Sequence, residues 1–417
     1  MTFRALIVDR LQFKTTNVIL IPLAIIIVLS NILVLSFFYE FPSSSFTGAY
    51  AQPYIQTVKH RDLTIDLGNG LKTNAQLTIP AVGEGPFPGV LIIPGSGAID
   101  MNGTEGLILV DNTTGSKIYP KAQTYLQFAE YLSERGFVVL RYDKRGVGSN
   151  NTILDSDVWG NLTFNNLKQD AEKALTVLLQ QPEVNATKKA TLIGHSEGTT
   201  VTPRVAVDNP DEVNNIILMS AVAQNLIGDI LYFQVVETPP LYAEMVLDKT
   251  GQGHFTLKGA MEDPIFPYLG GGDLLNQSSN DDMVSIKDEL RPAALAAYEN
   301  LVSPNSSSSE CQSISLCPIW ADSHINMDST LDMIGNVSSD IGILIQQGEN
   351  DSQTPVEQGL LLQQRLTEVN HPNHLLITYP NLGHIFAPSN QWTTAEGPVE
   401  EYVLQDMFEW LVSPPIE

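Results

Sequence analysis

Six short runs of nearly unbroken apolar residues recur along this chain. They are "GVLIIPG" from Gly89, "GFVVLRYD" from Gly136, "KKATLIGHS" from Lys188, "NNIILMSA" from Asn214, "IGILIQQGEND" from Ile341 and "HLLITYPN" from His374. Runs of that length, apolar on both alternating faces, are expected of strands buried from both sides. Between several of them lie amphipathic stretches of helical period, such as "AQTYLQFAEYLSERG" from Ala122 and "NNLKQDAEKALTVLLQQP" from Asn165. Strand and helix in alternation imply an α/β fold, with a mostly parallel sheet, right-handed crossovers and helices on both faces. Upstream, "YIQTVKHRDLTIDLGNGLKTNAQLTIP" carries two alternating runs around Asn69-Gly70, a β-hairpin signature.

One interval breaks the rhythm. Between Ala221 and Ile341 lie about 120 residues with helical fragments, a "GGGD" turn and the low-complexity "SPNSSSSE". A structureless loop of that length does not suit a compact domain, so the segment reads as an inserted helical cap. The resulting division is a targeting or anchor segment at 1–51, a first core part at 52–222, the cap at 223–339 and a second core part at 340–417.

The N-terminus carries a targeting signal. Arg4, Arg10 and Lys14 precede about twenty predominantly apolar residues ending at Phe38, enough to cross a bilayer as a helix. Ala49-Tyr50-Ala51 has the small-x-small form of a signal-peptidase site. Cleavage with release, or retention by residues 18–38 as a membrane anchor, would each place the rest outside the cytoplasm. Cys311 and Cys317, the only cysteines, flank "QSISL"; in an oxidising compartment they would close a local disulfide, and two free buried thiols are the alternative. N-x-[ST] sequons recur from Asn102 to Asn350, as weak support for an exterior location.

A net charge of −25 with only 22 Lys plus Arg supplies no basic stripe for nucleic acid. No HExxH, no cluster of Cys and His and no G-x-G-x-x-G after a strand is present, so neither metal nor cofactor is expected.

The chemistry concentrates at Gly194-His195-Ser196-Glu197-Gly198, the G-x-S-x-G form. A sharp strand-to-helix turn pushes the Ser196 hydroxyl out at the carboxyl end of the sheet, and Gly194 and Gly198 leave room for it. The following helix aims its first N–H groups at a developing oxyanion. A serine nucleophile needs a base and a group that orients the base, in the chain order Ser, acid, His. Asp351 follows the "IGILIQQ" strand and His384 follows the "LLITYP" strand. Of the remaining histidines, His371 and His374 precede the last strand, His254 and His324 fall in the insertion and His60 in the hairpin. The loop Pro94-Gly95-Ser96-Gly97 after the first apolar run would offer the Ser96 N–H beside that of Glu197 as an oxyanion hole.

Together "PGSGAIDMNG", "RYDKRGVGSN", "GHSEGTT", "GENDSQTP" and "YPNLGH" resemble an α/β-hydrolase of the serine esterase and serine aminopeptidase type, over Gly89 to His384. The resemblance implies Ser196 as nucleophile, Asp351 as orienting acid and His384 as general base, with Arg141–Ser149 a structural loop flanking the site. It implies a small-molecule ester or short peptide substrate. Peptide cleavage would also need carboxylates in the cap for a terminal ammonium; Glu237, Glu244 and Glu262 lie there, equally readable as a solvated face. A membrane-tethered binding protein on a silent scaffold is the reading from another class.

Overall fold

The computed structural model describes residues 57–105, 122–185, 187, 189–267, 269–275, 282–303, 317–393 and 397–413, all within one compact unit, Ile55–Glu417. The expected anchor at 18–38, the cleavage site at Ala51, Cys311 and the "SPNSSSSE" tract beyond Ser303 lie outside the described residues. Among the described residues no helix is long and apolar enough to cross a membrane.

Eight strands form the central sheet: β1 (Val58–Gly68), β2 (Leu71–Pro80), β3 (Gly89–Ile93), β4 (Val138–Tyr142), β5 (Ala190–His195), β6 (Val213–Met219), β7 (Gly342–Gly348) and β8 (His374–Tyr379). Their order across the sheet is β1-β2-β4-β3-β5-β6-β7-β8. β1 and β2 pair antiparallel around Asn69-Gly70, whose φ angles of 53° and 80° are those a two-residue hairpin turn demands. β2 runs antiparallel to β4, and every pairing from β4 to β8 is parallel. All six continuous apolar runs are therefore strands of the parallel part. β3, β4, β5 and β7 are buried at every position, because helices cover both faces.

One face carries α1 (Thr124–Glu134) and α7 (Glu401–Val412), the other α2 (Phe164–Leu179), α3 (Gly198–Asp208) and α6 (Glu357–Glu368). Thr163 opens α2 by a reciprocal cap with Asn166. Each fully buried Leu or Ile of the two cores stabilises the fold by roughly 1.5–3 kcal/mol.

Between β6 and β7 the chain makes helical turns over Leu226–Leu247, α4 (Arg291–Val302) and α5 (Pro318–Ile325). The insertion is not all helical: His254–Thr256 and Met283–Ser285 pair as a short antiparallel ribbon. Three residues per strand, with only Phe255 and Val284 fully inward, leave too little alternation to read as strand in the sequence. Part of the insertion has its own core, around Phe255, Phe266 and Leu290. Leu226, Ile230 and Trp320 instead pack into the main core. Cys317, at the start of α5, is disulfide-bonded.

Candidate active site

The parallel strands all end at one edge of the sheet, and the loops that leave β3, β5, β7 and β8 there carry the residues singled out in the sequence. Ser196 follows β5 directly and has φ of 54°, a left-handed conformation costly for a residue with a side chain. Its N–H donates to the Met219 carbonyl at 2.9 Å, which fixes the turn against β6. The turn is tight enough to exclude side chains on both flanks. A Cβ at Gly194 would stand 2.5 Å from the Gly198 carbonyl oxygen, and one at Gly198 would run into the Ile93 carbonyl oxygen. α3 starts at Gly198, so its N-terminal dipole points at the Ser196 hydroxyl's end of the sheet.

Asp351 and His384 meet. His384 Nδ1 lies 2.9 Å from Asp351 Oδ2 and 3.1 Å from Oδ1, with both side chains nearly closed to solvent. A carboxylate only accepts, so Nδ1 carries a proton, and in the neutral form of the ring the lone pair is on Nε2. Burial would raise the Asp351 carboxyl; the His384 charge and hydrogen bond, with the Thr354 N–H and hydroxyl, overcome this and hold it below the usual range. Gln353 N–H adds a further donor at 2.9 Å.

The His384 backbone is fixed as firmly. Its carbonyl oxygen accepts from Ser220 Oγ at 2.6 Å and from His195 Nε2 at 3.0 Å. Burial, and next the nearby His384 charge, push the His195 pKa down to about 3, so this ring is neutral. Since Nε2 donates to a carbonyl, Nδ1 is bare and accepts from the Tyr125 hydroxyl, 3.1 Å away. That hydroxyl in turn accepts from the Gly95 N–H at 2.9 Å. One chain of hydrogen bonds thus runs from the loop after β3, through His195, to the backbone of His384.

The loop after β3 lies against Ser196: a Cβ at Gly95 would stand 3.2 Å from Ser196 Cβ. Asp100 shapes its far side, accepting from Asn102 N–H, Thr104 N–H and hydroxyl, and Asn150 N–H at 2.8–3.1 Å. Among the described residues neither the Ser96 N–H nor the Glu197 N–H has an acceptor within the protein.

The side chain of Glu197 was not part of the sequence reading, and its surroundings are the principal addition of the structure. It is fully buried; Oε2 lies 2.7 Å from Lys144 Nζ, and Oε1 lies 2.5 Å from Trp320 Nε1 and 3.0 Å from His324 Nε2. Burial opposes the charged form, yet Lys144, and after it His324, bring the Glu197 pKa down to about 2. Lys144 belongs to the loop after β4 that reads as structural flanking, and His324 to the insertion. The strand order holds the signal for Lys144: β4 neighbours β3, so a residue just past β4 faces the loop just past β3. Nothing in the sequence places α5 against Glu197.

Four of the histidines set aside in the sequence lie away from this site, as expected. His371 and His374 sit at the opening end of β8, His60 pairs with Glu130 on β1, and His254 is exposed in the ribbon.

Residues 119–252 match the sequence model of the family described as serine aminopeptidase, S33. The chain is similar to Esterase EstD of Thermotoga maritima, 29% identical over 189 residues. That match covers 45% of this chain, which spans about a third of the relative's length (36%). Over these segments the chain is similar to a serine aminopeptidase family and to an esterase. Solved structures similar to this chain include Est1E from Butyrivibrio proteoclasticus, with 14% identity, a TM-score of 0.40 and coverage of 84% of this chain and 99% of that one. Proline iminopeptidase from Mycobacterium smegmatis has 16% identity, a TM-score of 0.42 and coverage of 78% and 92%.

Proposed function

We propose that this chain is an α/β-hydrolase that cleaves carboxylic ester or thioester bonds of small molecules through an acyl-enzyme on Ser196. The observation that carries the reading is the buried Asp351–His384 pair at the same sheet edge as the positive-φ turn of Ser196. Ser196 Oγ attacks the carbonyl carbon while His384 Nε2 takes its proton, and Asp351 holds the imidazole in the tautomer that can do so. The developing oxyanion is met by the Ser96 and Glu197 N–H groups. Collapse expels the alcohol or thiol, which takes the proton from His384. Water, deprotonated by the same nitrogen, then attacks the acyl carbon and releases the acid and Ser196.

A serine aminopeptidase is the second reading, favoured by the family match. The cap carboxylates weigh against it. Glu237 and Glu244 lie 3.5 and 2.7 Å from Arg291, and Glu262 lies 3.7 Å from Lys258. A pocket for a substrate ammonium needs carboxylates not already paired.

Work outside the cytoplasm, secreted or held by residues 18–38, is part of the proposal. Its support is the basic residues ahead of that apolar stretch and the disulfide at Cys317.

The test is initial rates of the full chain and of Ser196→Ala on p-nitrophenyl esters from acetate to octanoate and on aminoacyl p-nitroanilides. Ester turnover lost in Ser196→Ala is expected. Anilide turnover exceeding that of every ester would replace the esterase reading by the peptidase one.

A further inference from the structure

A lysine closed off from solvent bridges the two halves of the oxyanion hole. Lys144 Nζ donates to the Gly95 carbonyl oxygen at 2.8 Å and to Glu197 Oε2 at 2.7 Å, and its side chain is 1% exposed. The Gly95 carbonyl and the Ser96 N–H belong to one peptide unit. In a trans peptide the two point in opposite directions, so an ammonium that holds the carbonyl also sets where the N–H points. The unit sits in Pro94-Gly95-Ser96-Gly97, and on its Gly95 side the backbone can rotate at little cost. Without a restraint on the carbonyl, that peptide can turn its N–H away from Ser196. A positive charge on the carbonyl also polarises the peptide and makes its N–H a stronger donor.

Glu197 joins the second donor to the same group. Its backbone N–H is the other proposed donor, while its carboxylate grips Lys144 and is held from the cap by Trp320 and His324. The Glu197 carboxylate stays charged across the working pH range, since Lys144, and after it His324, hold its pKa down at about 2. An ion pair this deeply buried contributes little net stability compared with apolar replacements, which makes a positional task the better account of its presence.

We propose that Lys144 is a positioning residue for the oxyanion hole: anchored on Glu197, it holds the Gly95–Ser96 peptide so that the Ser96 and Glu197 N–H groups converge on one oxygen. The inference rests on the serine hydrolase reading and on those two donors.

The experiment compares the full-length wild type with Lys144→Met and with Lys144→Met/Glu197→Gln, which leaves no unpaired buried charge if the single variant does not fold. Active sites are titrated with a fluorophosphonate, kcat and KM are measured on p-nitrophenyl butyrate, and Ki is measured for a trifluoromethyl ketone that binds as an oxyanion. Loss of a correctly aimed donor predicts kcat per titrated site down about 100-fold, KM within about threefold and Ki up about 100-fold. The acid midpoint of the kcat/KM profile stays where it is. A purely structural lysine would lower thermal stability and the titrated fraction while leaving kcat per site and Ki unchanged, and that result overturns the inference while the hydrolase reading stands. A wild type that neither turns over nor labels overturns both.

Discussion

His195 Nε2 donates to the backbone carbonyl oxygen of His384 at 3.0 Å, and the two rings lie 4.9 Å apart between centroids. The residue before Ser196 thus holds the backbone of His384, the proposed general base, and its other nitrogen reaches the loop after β3 through Tyr125. Loss of this ring leaves Asp351 and Ser196 in place but loosens where His384 sits. For His195→Ala we expect kcat on p-nitrophenyl esters to fall about 10- to 100-fold with little change in KM, as for a small misplacement of a reacting group. Steady-state kinetics of the two proteins check this, and an unchanged kcat would dissociate His195 from the positioning of His384.

Asp351→Asn keeps the shape of the side chain and removes the charge that fixes the His384 tautomer. The expected loss is about 10⁴-fold in kcat, the scale seen when an orienting acid is made an amide. Substrate binding should persist, so KM is the control.

Gly198→Ala places a methyl group onto the Ile93 carbonyl oxygen, where backbone rather than a flexible side chain must give way. We expect a destabilisation of roughly 3 kcal/mol or more, read as a lowered denaturation midpoint in urea. A variant as stable as wild type would mean that the turn after Ser196 is wider than described.

Acid should unfold this protein in two overlapping stages. His195 is neutral in the fold down to about 3, whereas the unfolded chain takes up its proton near 6.5. Across that window the unfolded state binds more protons, so stability falls as pH falls, by at most about 1.4 kcal/mol per pH unit from this group. His371, also pushed down by burial, acts in the same sense. Glu197 is depressed from 4.5 to about 2; its contribution is whole above 4.5 and is lost as pH drops toward 2. Melting temperatures from pH 7 to 4 should therefore decline below 6.5, with a shallower decline in His195→Asn. Equal slopes in the two proteins would contradict a buried, neutral His195.

The parallel strands were legible because burial on both faces writes itself as unbroken apolar runs, and Asn69-Gly70 because a two-residue turn needs those φ angles. Ser196, Asp351 and His384 could be singled out because strand ends and chain order point to them without any knowledge of contacts, and the structure brings Asp351 and His384 together. The ring around Glu197 obeys neither rule. Lys144 and His324 reach it from 53 residues before and 127 residues after in the chain, and a pairing of single charges across such distances leaves no period in the sequence. His195 was equally silent, since a histidine inside an apolar strand end gives no sign of whether it packs, donates or titrates. Only Lys144 had a cue, in the adjacency of β3 and β4.

The most direct measurement is the intact mass of the full chain after exposure to a fluorophosphonate probe, with Ser196→Ala treated alongside. The account predicts a single adduct on the wild type and none on the variant. A folded wild type that takes no adduct, or a variant that takes the same one, would contradict Ser196 as an activated nucleophile.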